Sequence, residues 1–251
     1  MPVRSPSSKK AMDTRFYQRT AYRLSDEPVP ACFLTLDAHF AAALPPMEDG
    51  ALHYGMVLAE LVCARMADVE MYAFLIEDAR QRQGLAAAEM NHEADLKTAV
   101  MTRSFLVAYL GACRALLDAG ALTLGTLYEI PLTGAECTFR NGEFWHQFVM
   151  LAPNAHRRYH GQRLFFNEVN QWCDETGPRI APLVLLQHHY GTFARREVLL
   201  QALDERNVDM EDLTAEGVGR NWIDPLSLHK RWKPQLLTLC ERLCVDIQEH
   251  V

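Results

Sequence analysis

The sequence contains no pair of cysteines at CxxC spacing, although its 251 residues include seven cysteines. The seven are an odd number, and most of them lie among apolar residues, at positions 32, 63, 113, 137, 173, 240 and 244. This pattern is typical of reduced cysteines in the core of a cytosolic protein. We therefore expect a cytoplasmic location and neither a disulfide framework nor a zinc ribbon.

Internal repeats and low-complexity tracts are absent from the sequence, and we expect no apolar run of the length that crosses a bilayer. The first ten residues, MPVRSPSSKK, are polar and basic and lack the apolar centre of a signal peptide. We expect residues 1–12 to form a disordered tail and the chain to have no membrane partner.

An excess of basic residues is missing as well, since the formal net charge is −7. This charge argues against a dedicated binder of duplex DNA, but it leaves room for a small basic site for RNA. Hydrophobic residues make up 49% of the chain and charged residues 23%, which is typical of a globular protein. The length fits one large domain, or one domain with a helical extension.

Sustained alternation of apolar and polar residues, the mark of β-strands, is not found. Apolar residues instead recur at three- and four-residue steps over 52–83 and 94–119, which predicts two long amphipathic helices. Gly84 and Gly120 are the expected stops of these helices. The apolar face of the second helix is wide, so we expect it to be a central helix with several neighbours.

The rest of the chain is punctuated by glycine and proline. Residues 31–40 fit a short strand or a helix, and residues 121–139 predict an irregular connection with room for a short strand pair. Asp209 and Asp224 are predicted N-caps, and Pro225 suits a first helical position. Further helices are predicted from about 141, over 154–175, over 180–206 as one or two, and after Pro234. Taken together, these patterns predict an all-α fold of seven or more helices.

The segment 138–146, TFRNGEFWH, combines groups that suit phosphate chemistry. Asn141 is a predicted N-cap, and the free N–H groups of a helix N-terminus attract anions. Arg140 would stabilise negative charge on a phosphorane, and His146 would give or take a proton near neutral pH. Together they form a minimal set of groups for cleaving RNA through its own 2′-hydroxyl.

The spacing of Arg140 and His146 sets a geometric condition. Residues six apart lie about 240° apart around a straight helix, so the two side chains would not share a face. They converge only if Arg140 lies outside the helix proper, or if a second chain completes the site. The alternative interpretation is a surface arginine and a half-buried histidine packed beside Trp145.

Asp118 is the fourth candidate catalytic residue, after Arg140, Asn141 and His146. It falls in the last turn of its predicted helix, where the helix dipole disfavours an acid by about 0.3–1 kcal/mol. Pairing with Arg140 or orientation of His146 would explain its position. A plain ion pair with Arg114, four residues earlier, is the alternative.

The most basic stretch of the chain is 156–163, HRRYHGQR. Arginine and tyrosine suit phosphates and stacked bases, so Arg157, Arg158, His160 and Arg163 are predicted RNA contacts. A solvated helix face is the alternative. His156 shares a face with His160 and these two would suit a metal, but no third ligand lies at a suitable offset, so we expect no metal.

Arg140 and His146, with the polar Asn141 after the arginine, resemble the R-x(4–6)-H motif of HEPN RNases. Residues 103–120, RSFLVAYLGACRALLDAG, resemble the central helix of that family, and the resemblance covers about 52–175. It implies an up-and-down helical bundle over 13–175, with additional C-terminal helices over 176–251 packed on the same core. One subgroup has a tyrosine two residues after the histidine; Phe148 stands there, which does not support silencing by modification.

The HEPN resemblance also implies a function. It implies a homodimer with a composite site across the interface and no metal or cofactor. Several members of the family are toxins or antiviral effectors that are paired with an antitoxin or regulatory protein. Two alternatives stay open: a non-catalytic helical interaction module, such as a partner or immunity protein, and a small-molecule sensor or metal-binding protein that uses His156 and His160 or the pair His188 and His189.

Overall fold

The fold is seen in a computed structural model, which describes residue 22 and residues 27–44, 53–88, 92–175, 193–194, 222–223 and 225–251. Within these ranges the chain forms seven α-helices and two short strands. They are α1 (Ala31–Ala43), α2 (Tyr54–Ala88), α3 (His92–Leu127), α4 (Gly142–Leu151), α5 (Pro153–His160), α6 (Arg163–Glu175), β1 (Phe193–Ala194), β2 (Trp222–Ile223) and α7 (Pro225–Glu249). The prediction of an all-α fold is confirmed.

The two long helices α2 and α3 form the most extensive helix pair of the fold. Helix α7 packs on both of them and also on α1 and α5, while α6 packs on α3. Buried side chains from all seven helices form one continuous apolar cluster. Helix α3 therefore has the central place that its wide apolar face predicts.

Helix α3 corrects the expectation about long apolar runs. Its segment Val100–Leu127 has a mean hydropathy of 1.5 and is long and apolar enough to cross a membrane by length and composition. The most apolar window of this segment is 56% buried inside the chain, as in the core helix of a bundle. The same apolar face that packs against α2, α6 and α7 accounts for the hydropathy.

The predicted glycine stops are wrong, because α2 continues through Gly84 to Ala88 and α3 continues through Gly120 to Leu127. A Cβ atom on Gly120 would lie 3.2 Å from Leu243 Cδ1 and 3.4 Å from Phe139 Cε2. Gly120 thus lets neighbouring segments approach α3 and does not end the helix. Since Asp118 does not lie in the last turn of α3, the helix-dipole argument for it fails.

Other helix boundaries also differ from the sequence pattern. Residues 31–40 belong to a helix, and the predicted helix over 154–175 is divided into α5 and α6 at residues 161–162. Helix α7 begins at Pro225, as predicted, and runs through Pro234 instead of starting after it. Residues 193–194 pair antiparallel with 222–223, where the sequence pattern predicts a helix over 180–206.

Several predictions fall on residues that are outside the described ranges. These are the disordered tail 1–12, the N-caps Asp209 and Asp224, the pair His188 and His189, and the rest of 180–206. The domain boundaries at 12 and 175 also stay predictions.

Replacement of Gly125 by alanine tests whether the α3 glycines serve close packing. A Cβ atom there would lie 2.7 Å from Cys137 Sγ, so we expect Gly125→Ala to lower the free energy of unfolding by about 1–3 kcal/mol. Gly111 lies in the same helix, and a Cβ atom placed on it would meet nothing within 4 Å, so Gly111→Ala is expected to raise stability by about 0.5–1 kcal/mol. Urea unfolding measures both; equal effects of the two substitutions would contradict the packing role.

Candidate functional site

The start of α4 is fixed by Asn141, which is its N-cap. The Asn141 Oδ1 accepts a hydrogen bond from the Glu143 backbone N–H at 3.0 Å, and its Nδ2 donates to the Glu136 carbonyl at 2.9 Å. Asn141 therefore ties the helix to the preceding loop by both ends of its amide. Arg140 comes before this cap, so it lies outside the helix proper, as convergence with His146 requires.

The Arg140 guanidinium is held by an acid on α6. Its Nη2 donates to Asp174 Oδ2 at 2.9 Å, and the other oxygen of Asp174 accepts from Arg114 Nη1 at 3.1 Å. The Arg140 and Asp174 side chains are 41% and 45% exposed. Ion pairs this exposed contribute about 0–1 kcal/mol, so solvent or a phosphate can displace Asp174 from Arg140.

Asp118 lies half-buried on α3 near both arginines. Burial raises the pKa of its carboxyl, while the charges of Arg114 and Arg140 act in the opposite direction. Arg114 donates to Asp174 and not to Asp118, so the simple pair predicted between residues four apart does not form. Asp118 also lines an open groove of about 340 Å³ together with Thr138, two residues before Arg140.

His146 lies on the outer side of α4. Phe144, Trp145 and Phe148 point into the core, whereas the His146 side chain is exposed. No hydrogen bond or ring contact joins His146 to Arg140, both of which belong to the described residues. Within one chain, Arg140 lies just before α4 and His146 lies in the middle of it, and the two side chains do not touch.

Three of the four predicted RNA contacts, Arg157, His160 and Arg163, are exposed. Arg163 Cζ lies 4.9 Å from the centre of the Trp145 ring, and Trp145 Nε1 donates to the Phe139 carbonyl at 2.8 Å. These contacts place one cation of the basic stretch directly beside α4.

His156 connects the basic stretch to the same tryptophan. Its ring lies edge-on to Trp145 at 5.7 Å, and the His160 ring follows at 5.5 Å. Burial lowers the pKa of His156, and the neighbouring His160 and Arg163 lower it further. His156, His160 and Arg163 therefore form a cluster of two imidazoles and one guanidinium around Trp145, which we call the Trp145 cluster.

Arg158, the fourth predicted contact, is engaged within the chain. Its Nη2 donates to the carboxylate of Asp246, which is fully buried on α7, and to Glu249 Oε2 at 3.0 Å. The hydroxyls of Tyr128 and Tyr159 also donate to Asp246. This set of hydrogen bonds, the Asp246 network, anchors α5 to α7.

A second buried polar cluster lies between α2, α3 and α7. Glu70 is 3% exposed, and its Oε2 lies 3.2 Å from Lys233 Nζ and 3.5 Å from His229 Nε2. The Tyr109 hydroxyl lies 3.3 Å from His229 Nδ1. The sequence pattern gives no sign of this cluster, because the partners of Glu70 stand about 160 residues later in the sequence.

Metal chemistry finds no support among the described residues, where no group of three or more His, Cys, Asp or Glu side chains is arranged to hold an ion. His156 and His160 are thus two imidazoles without a further ligand at hand in that part of the chain.

Comparisons of the chain with protein-family models, with curated proteins and with solved structures give no match. The HEPN resemblance consequently depends only on the sequence of the motif and of residues 103–120.

Substitution of Asp246 tests the structural role of Arg158. Asp246→Ala leaves the Arg158 guanidinium and two tyrosine hydroxyls without their shared acceptor, so we expect a loss of about 3 kcal/mol in the free energy of unfolding. Glu249 contacts the same guanidinium but is 51% exposed, so Glu249→Ala is a matched control expected to cost less than about 1 kcal/mol. A mild effect of Asp246→Ala in urea unfolding would argue against the anchor.

Substitution of Glu70 gives a pH-dependent prediction. Burial raises the pKa of its carboxyl, but His229 and Lys233 outweigh burial and the net pKa is below the usual 4.5. The ionised form therefore stabilises the fold above pH 4.5, and this contribution is lost as the pH falls through the lowered pKa. We expect Glu70→Gln to cost about 3 kcal/mol at pH 7 and progressively less below pH 4.5. Glu77→Gln, an exposed position on the same helix, is the control, and a pH-independent deficit in Glu70→Gln would contradict the ionised pair.

Proposed function

We propose that the chain is a metal-independent endoribonuclease that cleaves single-stranded RNA through attack by the 2′-hydroxyl. The observation that carries the proposal is the position of Arg140, exposed immediately before the capped N-terminus of α4, with His146 exposed on the same helix. The cell would use such an activity as a toxin or antiviral effector in the cytoplasm, restrained by an antitoxin or regulatory protein.

Arg140 is suited to bind the scissile phosphate. The N-terminus of α4 adds partial positive charge next to it, and a phosphate gains both interactions at once. The competing Asp174 is exposed and shared with Arg114, so its hold on Arg140 is weak. Phosphate binding would replace one exposed charge pair by a bidentate contact in the same place.

His146 is suited to transfer the proton. Because His146 and Arg140 of one chain do not touch, they do not form a complete catalytic site by themselves. A second copy of the chain supplies the remainder in our proposal. Val149 and Met150, one helical turn after His146, are 38% and 69% exposed. An apolar surface beside His146 supports a homodimer in which the α4 helices of two chains face each other and bring Arg140 of one near His146 of the other.

The RNA strand would continue over the Trp145 cluster. Arg163 and Arg157 offer positive charge, and the exposed His160 lies between them in the sequence. Since Arg158 is bound to buried Asp246, we assign to it the support of α5 and not a direct RNA contact. Asp118 lies in the groove next to the loop of Arg140, where its carboxyl group would interact electrostatically with Arg114 and Arg140.

Cleavage assays test the proposal. Purified protein is expected to cut single-stranded RNA in the presence of EDTA and to leave 2′,3′-cyclic phosphate ends. Arg140→Ala and His146→Ala should each lower the rate at least about 100-fold, since each removes charge stabilisation or proton transfer. Arg103→Ala, an exposed arginine of α3, is the control and should keep full activity, with helical circular dichroism unchanged in all variants. Unaltered cleavage in both site variants would contradict the proposal.

Mixing the two inactive variants tests whether the site is shared between chains. A heterodimer of Arg140→Ala and His146→Ala chains contains one intact composite site, so random exchange should restore about a quarter of the wild-type activity. A site formed within one chain stays inactive in every combination. The mixture thus separates the composite site from a site in cis, whatever the absolute rate.

A non-catalytic interaction module is the second candidate function. The ion pair of Arg140 with Asp174 and the exposed Met150 favour it, because both features also fit a docking face for another protein. This candidate predicts no RNA cleavage by any variant and a stoichiometric complex with a protein partner that Met150→Glu abolishes. Recovery of RNA alone with the purified chain would count against it.

A further inference from the structure

The open groove near Arg140 lies between α2, α3 and the loop that precedes α4. Its volume of about 340 Å³ is near the lower end of the range of sites that hold small molecules. The described residues that line it are mostly small or apolar, among them Leu61 of α2 and Ala115, Ala119 and Leu122 of α3. A groove of this size and polarity suits one flat, largely apolar group such as a nucleobase.

Two charged side chains, Arg65 and Asp118, are among the described residues that line the groove. Arg65 is paired with Asp68 at 3.1 Å. Asp118 is half-buried, yet it forms no hydrogen bond or ion pair with the other described residues. A carboxylate only accepts hydrogen bonds, and its burial is unfavourable unless donors compensate for the lost water. The groove therefore presents a carboxylate that the donors of a ligand can satisfy.

The arginines of the candidate site lie next to this carboxylate. Arg114 precedes Asp118 by four residues on α3, which is one helical turn, or about 6 Å along the axis. Arg140 follows the lining residue Thr138 by two positions and shares Asp174 with Arg114, at 2.9 and 3.1 Å. A phosphate at the arginines and a base at Asp118 are thus within the reach of one nucleotide.

Guanine is the RNA base whose hydrogen-bonding edge fits a carboxylate. Its N1–H and its 2-amino group are adjacent donors, so the two oxygens of one carboxylate accept both in a bidentate contact. Adenine and cytosine place an acceptor nitrogen beside their amino group, and uracil places carbonyl oxygens on both sides of its N–H. Those acceptors would face the oxygens of Asp118 and be repelled. In single-stranded RNA this edge is free for contact with protein.

We propose that the groove is a guanine subsite in which Asp118 accepts hydrogen bonds from N1–H and the 2-amino group. The base lies on the apolar walls, and the phosphate next to it binds Arg140 and Arg114 in place of Asp174. The role of the subsite in RNA cleavage rests on the proposed function, for which it selects an unpaired guanine beside the scissile phosphate. Binding of a guanine nucleotide does not itself require cleavage.

Titration calorimetry with mononucleotides tests the subsite. We expect guanosine monophosphate to bind at least about 10-fold more tightly than the adenosine, cytidine and uridine monophosphates, since they lack the bidentate contact. Inosine monophosphate keeps N1–H and lacks the 2-amino group, so its affinity should be intermediate. The 3′- and 5′-monophosphates are compared because the tighter of the two shows on which side of the phosphate the base lies.

Two variants test the groove in different ways. Asp118→Asn replaces one acceptor oxygen by a donor, so the preference for guanosine should disappear. Ala115→Leu keeps the carboxylate but fills the groove, and it should weaken binding of guanosine monophosphate at least about 10-fold. Asp78→Asn is the matched control, because Asp78 is a partly exposed carboxylate of α2 that pairs with Arg82 and does not line the groove. It should bind as the wild type does, with circular dichroism unchanged in all three variants.

The results separate this inference from the proposed nuclease. Equal affinity of the wild type for the four bases, or an undiminished preference in Asp118→Asn, would overturn the subsite. RNA cleavage without any preference for guanine next to the cut would overturn the subsite and leave the nuclease standing. Selective binding of guanosine monophosphate by a chain that cleaves no RNA would support the subsite and contradict the nuclease.

Discussion

The close approach of the loop 137–139 to α3 is the constraint on which the candidate site depends. It exists because Gly125 has no side chain where Cys137 packs, and because Gly120 leaves space for Phe139. Phe139 then stacks on Phe166 of α6 with ring centres 4.3 Å apart and accepts the Trp145 hydrogen bond. The backbone next to Arg140 is thereby held between α3, α4 and α6. The position of Arg140 therefore depends on the lack of side chains at Gly120 and Gly125 of α3.

The charged groups of the fold divide into two kinds that differ in energy. Asp246 and Glu70 are buried, and each carboxylate interacts with several partners through hydrogen bonds or ion pairs. Removal of one partner would leave a charge in the core that is less well compensated. The pair of Arg140 and Asp174 is exposed and exchanges readily with solvent. A ligand can compete for the second kind and not for the first. This difference, rather than residue type, separates Arg140 from Arg158.

The parts of this structure that the sequence predicts are local ones. The start of α4 follows from Asn141, because a side-chain cap acts over two residues, and the helical period of α2 and α3 repeats within a few turns. The ends of those helices could not be predicted. Gly120 leaves space for Leu243 and Phe139, which lie outside its own helix, and its sequence neighbours give no sign of this. The partners of Glu70 and Arg158 could not be predicted either, because they lie on α7, which is distant in sequence.

Helix α7 connects the two chemically distinct regions of the molecule. His229 and Lys233 in its first half face the buried Glu70 of α2, and Asp246 near its end holds Arg158 of α5. Because one helix carries both contacts, the packing of α7 on α2 also fixes the helix that positions α5. Helix α5 in turn carries His156 and His160 of the Trp145 cluster. The buried Glu70 and the surface beside α4 are therefore linked through one helix and two buried carboxylates.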